Sequence, residues 1–209
     1  MRAARVPRAM TVARSALIVV ALAIAGCAET DTAAAPPHVQ ARQAPAPPAV
    51  EVRQHGLTAE LPQGWHSAAE SLTPHLVDPR EELAVATFPL RYRQTECAHV
   101  PGSALDDLGP RDAFVTLQER GLGAADGPDF PARPVHFGPA LGGPSEASAC
   151  VPGARFADHW FGFTDGGRAF HVMVAFGPQA SDEVRRQAWA ILNSLSVDPG
   201  VVPDWKSSG

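Results

Sequence analysis

The chain has little of several residue types on which enzymes and nucleic-acid-binding proteins commonly depend. Its 209 residues include one lysine, Lys206, and one tyrosine, Tyr92. The first 26 residues carry four arginines and no acid, so the rest of the chain carries 13 basic and 22 acidic side chains. An acidic body has no basic patch with which to displace the counterions of nucleic acid. We therefore expect no nucleic-acid partner.

Linear catalytic motifs are also missing. The sequence contains no Gly-x-Ser-x-Gly elbow, no Ser-x-x-Lys, no His-Glu-x-x-His, no P-loop and no dinucleotide-binding fingerprint. We therefore predict no catalytic residues and no cofactor. A hydrolase or transferase whose site is assembled from distant residues would leave no linear trace, and it stays the alternative.

The first 27 residues have the pattern of an export signal. Residues 15–25 form an apolar run after the arginines, and as a helix they would span about 16 Å, roughly half of a bilayer's hydrocarbon thickness. This length is typical of a signal-peptide core. The residues that follow, Ile24-Ala25-Gly26-Cys27, resemble the lipobox of bacterial surface lipoproteins.

The lipobox resemblance implies a location and a membrane partner. In such proteins the signal is cleaved before the cysteine, whose thiol carries a diacylglyceryl group, and two acyl chains give stable anchorage. We therefore expect Cys27 to be lipidated, and the protein to be anchored to the cell membrane and to face outside the cytoplasm. Sixteen arginines against one lysine, with abundant alanine, indicate a high-GC genome such as an actinobacterial one.

The rest of the chain divides into a spacer and one domain. Residues 27–50 contain five prolines among alanines and polar residues, so they cannot bury enough apolar surface to offset the entropy of ordering. We predict a signal peptide over 1–26, a proline-stiffened tether over 27–50 and a single globular domain over 51–205.

Two cysteines lie in the predicted domain. An even pair in an exported domain is oxidised by default, so we predict a disulfide between Cys97 and Cys150. The alternative is a metal site that uses Cys97 and His99, but a lone Cys-x-His is a weak signal. The eight histidines are otherwise scattered, and we predict no metal site.

Two elements have strong local signals. Residues 156–164 and 168–176 flank Asp165-Gly166-Gly167, which predicts a β-hairpin in which Phe163 faces Phe170. In that register His159 and His171 lie on opposite faces, and both faces are apolar enough to need cover. A final helix is predicted to begin after Ser181, with an apolar stripe of Val184, Ala188, Ile191, Leu192 and Leu195.

Other segments give weaker predictions. Strands are expected over residues 57–61 and 83–88, and a helix over residues 110–121, with Phe114 and Leu117 on its apolar side. The glycine- and proline-rich stretch 121–153 is predicted as a loop, with a strand near residues 135–137. The adjacent acids Glu81-Glu82 and Asp106-Asp107 are interpreted as solvated charges where a strand and a helix begin.

Together these elements indicate an α+β domain with a largely antiparallel sheet covered by helices. The segment Leu61-Pro62-Gln63-Gly64-Trp65, the late hairpin and the helix that ends in Ile191-Leu192-Asn193-Ser194-Leu195 resemble the PsbP-like α/β/α fold. That resemblance implies a six- or seven-stranded antiparallel sheet between helices and an assembly or binding role, without catalytic residues. We expect a non-enzymatic binding or accessory module for an envelope protein, lipid or glycan.

Overall fold

The computed structural model describes residues 49–95, 100–121, 130–144, 151, 153 and 155–201. Over these residues the chain is an α+β fold with antiparallel strands, as the sequence predicts, but the strands form two sheets rather than one. The smaller sheet has the strand order β1-β2-β8 and the larger has the order β3-β4-β5-β7-β6. The strands are β1 (Val50–Gln54), β2 (Leu57–Leu61), β3 (His66–Ser67), β4 (Arg80–Ala86), β5 (Ala113–Arg120), β6 (Ala157–Asp165), β7 (Arg168–Phe176) and β8 (Ser196–Val197). The helices are α1 (Gly102–Asp107) and α2 (Asp182–Ser194).

The β6–β7 hairpin has the predicted register. Asp165 pairs with Arg168, and Phe163 pairs with Phe170. Gly166 and Gly167 have φ values of 58° and 78°, as a two-residue turn that matches the twist of the strands requires. The prediction worked because the turn chemistry alone sets the register here.

Helix α2 also begins and packs as predicted. The Ser181 hydroxyl accepts a hydrogen bond from the Val184 backbone N–H at 3.2 Å, and Asp182 and Glu183 occupy the first turn, where they complement the helix dipole. Four residues of the predicted stripe are buried in the main core, and Val184 packs at its edge: the buried four are Ala188, Ile191, Leu192 and Leu195.

The helix predicted over residues 110–121 is wrong, since Ala113–Arg120 is the central strand β5. Seven of its eight residues are buried, because both faces of the sheet are covered, so β5 has no exposed face of the kind that identifies a half-exposed strand. Phe114 and Leu117 are three residues apart and imitate a helical stripe, but their side chains lie on opposite faces of the sheet. The strand prediction near residues 135–137 is also wrong, because Val135 is exposed and belongs to no strand.

The larger sheet separates two apolar layers. Its first face carries α2 and the smaller sheet, and the main core lies between them. Its second face carries α1, whose Ala104 and Leu105 pack in a second cluster with Phe114, Met173 and Ala175. Within the described residues, no helix combines the length and the apolar character that crossing a membrane requires.

Candidate functional site

The three residues for which the sequence predicts a modification lie outside the described part of the chain. These are Cys27, the predicted lipidation site, and Cys97 and Cys150, the predicted disulfide pair. The acids Asp106 and Asp107 are exposed, as expected, but they end α1 rather than begin a helix. In the described ranges no three His, Cys, Asp or Glu side chains are grouped so that they could hold a metal ion.

Glu81 and Glu82 are not solvated charges, which corrects the sequence interpretation. Glu81 is 6% exposed and Glu82 is fully buried. The pairing of β4 with β5 shifts between Glu81 and Leu83, so β4 has one extra residue there. This β-bulge places Glu81 on the second face and Glu82 on the first. The two adjacent carboxylates therefore lie in two different layers of the fold.

On the first face, Glu82 belongs to an ion network that is centred on Arg168. Arg168 donates from Nε and Nη2 to the two carboxylate oxygens of Glu119, at 2.8 and 2.6 Å. Its Nη1 donates to the backbone carbonyl of His55, in the β1–β2 turn, at 3.0 Å. Such a two-point pair fixes orientation as well as charge.

The remaining charges of this network also have partners. Glu82 accepts a hydrogen bond from Arg80 Nε at 2.7 Å, and its other oxygen lies 2.8 Å from His55 Nδ1. Burial raises the pKa of Glu82, and the ion pair with Arg80 opposes that rise. Two carboxylates face two guanidinium groups, with His55 at the exposed edge. The network therefore fastens the β1–β2 turn to the larger sheet, and it leaves no buried charge for a ligand to neutralise.

On the second face, polar side chains lie side by side on three neighbouring strands. Glu81 of β4 pairs with Gln118 of β5, and Gln118 pairs with His171 of β7. Thr116 lies two residues before Gln118 on the same face, and both are about 1% exposed. We call Glu81, Gln118, Thr116 and His171 the polar row. Within the described chain, Thr116, Gln118 and His171 each have at least one side-chain N or O atom without a hydrogen-bond partner, whereas the Glu81 carboxylate accepts from the Leu72 N–H and has Thr73 beside it.

A surface groove lies on the opposite side of the larger sheet, beside α2. Two cavities of about 430 and 340 Å³ both have Pro139, Arg186 and Trp189 in their walls. Because they share these residues, we treat them as one groove, the Trp189 groove. Each cavity has the volume of a small-ligand site.

Rings form the floor of the Trp189 groove. The Trp189 ring contacts His159 edge to face at 5.2 Å between centroids, and it lies 6.3 Å from Phe176. His159 Nδ1 lies 3.3 Å from the Leu141 carbonyl, which can only accept, so Nδ1 carries the proton and Nε2 is the acceptor that His159 offers to a ligand. As predicted, His159 and His171 are on opposite faces.

The rim of the groove carries charges of both signs, from Asp182, Arg185 and Arg186. The Arg185 guanidinium lies 4.7 Å above the Phe176 ring and donates to the Ala180 carbonyl, while Arg186 forms an ion pair with Glu183. Glu183 has a lowered pKa because it accepts hydrogen bonds from Arg186 and Gln187. The groove therefore combines apolar rings with polar edges and has no strong excess of one charge.

The sequence analysis did not identify either site. Trp189 lies within the apolar stripe of α2, between Ala188 and Ile191, and an aromatic residue there could have been noted. The loop residues that complete the groove, His136 and Pro139, have no signal of their own. The β-bulge beside Glu81 has no recognisable signal in the sequence either.

Comparison with known proteins does not provide a function. No family model matches the chain, and no curated protein matches it. The assignment of function therefore depends on the chain's own residues.

Proposed function

We propose that the protein is a lipid-anchored module of the cell envelope that binds an oligosaccharide in the Trp189 groove. The groove is the observation that carries the proposal, because it is accessible, of ligand size and lined by rings with polar groups at the rim. A sugar ring has a C–H face that packs on an aromatic ring and hydroxyls that hydrogen-bond at its edge. The rim combines Arg185 and Arg186 with Asp182, and such mixed charges favour an uncharged ligand over an ionic one.

The anchor supports the same role. The arginine-rich start, the short apolar run and the lipobox resemblance at Cys27 imply export and acylation, and residues 28–50 would hold the domain away from the lipid surface. The hydrolase or transferase alternative has less support. Glu81 and Glu82 lie on opposite faces of the sheet, so they cannot act on one substrate as a general acid and base.

The resemblance to the PsbP-like fold remains part of the proposal. A five-stranded antiparallel sheet with α2 on one face and α1 on the other supports it. The separate sheet β1-β2-β8 differs from the single sheet that the resemblance implies. A binding or accessory role without catalytic residues agrees with the resemblance.

Isothermal titration of the full chain with a neutral amino-sugar oligomer, N,N′,N″-triacetylchitotriose, tests the groove. Ala190 is exposed on α2 and lines the groove, so Ala190→Trp should fill it without disturbing the core. We expect saturable binding to the parent chain, and a loss of at least tenfold in affinity for Ala190→Trp.

Ala69→Trp is the matched control, because Ala69 is exposed and lies outside the groove. It should bind the oligomer as the parent does. Equal binding by both variants, or no binding to the parent, would refute the proposed ligand site.

Metabolic labelling with a fatty-acid probe tests the anchor. Cys27→Ser should abolish the label and accumulate uncleaved precursor, whereas Cys97→Ser should retain the label. A labelled Cys27→Ser chain would refute the lipobox assignment.

Mass spectrometry of a non-reduced digest of the exported chain tests the disulfide. It should show one cross-linked peptide pair that contains Cys97 and Cys150. Two freely alkylated thiols would refute it.

A further inference from the structure

Strand β1 is an edge of the smaller sheet, and only one of its sides is paired. The strand order β1-β2-β8 gives β1 a single neighbour, β2. Glu51 of β1 faces Glu60 of β2, but the Glu60 N–H donates to the hydroxyl of Ser194, which precedes β8, at 2.9 Å. Glu51 and Glu60 are therefore a non-hydrogen-bonded pair, in which the backbone N–H and C=O of each residue point away from the other strand.

The free side of β1 presents two residues with outward backbone groups. Arg53 lies two residues after Glu51 and faces Thr58, so its N–H and C=O also point away from β2. Among the described residues, no other backbone group bonds to Glu51 or Arg53 on this side. Four of the five residues of β1 are exposed, and Val50 is 64% exposed. An accessible edge of this kind can pair with a strand of another chain.

The side chains of the edge restrict which strand can pair with it. Glu51 and Arg53 project to the same side of β1, where the Arg53 guanidinium donates to the Glu51 carboxylate. Glu51 also faces the like-charged Glu60, and such a cross-strand contact is unfavourable. Charges on an edge discourage pairing with strands that do not match them. A strand that does match must place a base opposite Glu51 and an acid opposite Arg53.

We infer that the strand that matches this edge is β1 of a second copy of the chain. When the two copies of β1 run antiparallel about a two-fold axis at Val52, Glu51 of each copy faces Arg53 of the other. The outward groups of Glu51 and Arg53 then form hydrogen-bonded pairs, each of which exchanges two backbone hydrogen bonds. The smaller sheets of the two copies join into one continuous sheet across a self-complementary interface.

Charge selects this register over its neighbours. A shift that keeps outward groups opposite each other moves the two-fold axis from Val52 to Glu51 or to Arg53, because the strand has a period of two. The shifted pairs place Glu51 opposite Glu51, or Arg53 opposite Arg53, and like charges directly opposite each other are destabilising. Neither residue lines the Trp189 groove, so self-association is separate from the proposed ligand binding.

Disulfide trapping of the full chain in isolated membranes of the producing cells tests this inference. In the inferred register Val52 faces Val52 of the other copy in a non-hydrogen-bonded pair, with about 4.5 Å between Cα atoms, which is within the range that a disulfide spans. We expect Val52→Cys to give a disulfide-linked dimer on a non-reducing gel after mild oxidation, whereas the parent chain, which keeps its own cysteines, does not give it.

Charge reversal in the Val52→Cys background tests the partner. Glu51→Arg places arginines opposite each other and Arg53→Glu places glutamates opposite each other, so each variant alone should form about tenfold less trapped dimer. Co-production of these two variants with different tags should restore a mixed dimer, because every acid then faces a base. The restored dimer would also show that both variants fold.

Glu70→Arg in the same background is the matched control, since Glu70 is exposed and lies outside β1, and it should leave the trapped dimer unchanged. Absence of a trapped dimer for Val52→Cys, equal trapping by Glu51→Arg alone, or failure of the mixed pair to restore the dimer would overturn the inference.

Discussion

The two faces of the larger sheet treat buried polar groups in opposite ways. On the first face, Glu82, Glu119, Arg80 and Arg168 are joined in ion pairs under the main core. On the second face, the polar row is buried except at half-buried His171, and four of its side-chain atoms, in Thr116, Gln118 and His171, have no described hydrogen-bond partner. The corresponding atom on the first face is Glu82 Oε2, whose close contact is with His55 Nδ1. The first face shows what the fold needs for its own cohesion, and the second shows groups that the fold does not use for that purpose.

This contrast predicts opposite responses to mutation. Removing one member of a paired network leaves an uncompensated buried charge, which is strongly destabilising. Removing an unpaired polar atom eliminates a cost, so it should be neutral or stabilising. The stability changes caused by substitutions on the two faces therefore test this difference.

The largest effect is expected for Arg168→Met on the first face. Glu82 and Glu119 would lose a shared cation, and we expect the free energy of unfolding to fall by about 3–5 kcal/mol in denaturant melts at neutral pH. Arg186→Met makes the same chemical change in the exposed pair with Glu183, where solvent screens the charges and only a small loss is expected. Similar losses for the two variants would contradict the contrast between buried and exposed pairs.

Leu192→Ala probes the apolar layer on the same face. Leu192 is fully buried between α2 and the sheets, so we expect a loss of about 2–5 kcal/mol from the transfer energy and the residual cavity. His159→Gln, at the margin of this layer beside Trp189, should cost much less. A Leu192→Ala melt within error of the parent would mean that α2 does not pack as described.

Glu81→Gln tests the second face through its pH dependence. Burial raises the pKa of Glu81 from 4.5 to about 7 in the fold, so the folded chain holds the proton that the unfolded chain releases. Its contribution is therefore present below pH 4.5 and is lost as the pH rises toward 7. The glutamine variant has no such loss, and it should gain up to about 3 kcal/mol on the parent across this window.

Denaturant melts of the parent and of Glu81→Gln at several pH values measure this difference. Taking the difference removes the pH dependence of the other groups, including the opposite trend expected from His171, whose pKa is lowered by burial. A difference that does not change with pH would show that Glu81 titrates normally.

The smallest effect is expected for Thr116→Val in the polar row. Its hydroxyl has no partner within the described residues, so a methyl group of similar volume should leave the stability unchanged or raise it by up to about 1 kcal/mol. Thr87→Val is the control, since the Thr87 hydroxyl donates to Asp112 and accepts from the Ala113 N–H. That change should cost about 1–3 kcal/mol. If Thr116→Val lowers the free energy of unfolding as much as Thr87→Val does, the Thr116 hydroxyl has a hydrogen-bond partner in the fold.

The sequence predicted the elements whose signals are local. The Asp165-Gly166-Gly167 turn sets the register of the β6–β7 hairpin, and Ser181 with the stripe from Val184 to Leu195 defines α2. Strand β5 was missed because Phe114 and Leu117 have the spacing of a helical stripe, and because both faces of the strand are covered. The burial of Glu81 and Glu82 was missed because adjacent acids ordinarily indicate a surface, and only the tertiary fold brings Arg168 to this part of β4.

The Trp189 groove and the polar row follow the same rule. The Trp189 groove needs His136 and Pro139 from a segment with no regular pattern, so its existence depends on how that segment lies against α2. The polar row brings together residues 90 positions apart, from Glu81 to His171, through strand pairing alone. Sequence spacing carries no information about such a juxtaposition.

The bulge in β4 also has a consequence for how this chain can change in length. Because Glu82 is the additional residue, a chain that lacks it would keep Arg80, Glu81 and Leu83 on their present faces and would remain in register with β5. Deleting Ala84 instead would shift the residues on one side of the deletion by one position, so their side chains would point to the opposite face of the sheet. A one-residue insertion is therefore a sufficient evolutionary route to the buried carboxylate of the first face. Relatives that are one residue shorter at this point should lack the ion pair between Arg80 and Glu82 and keep the polar row.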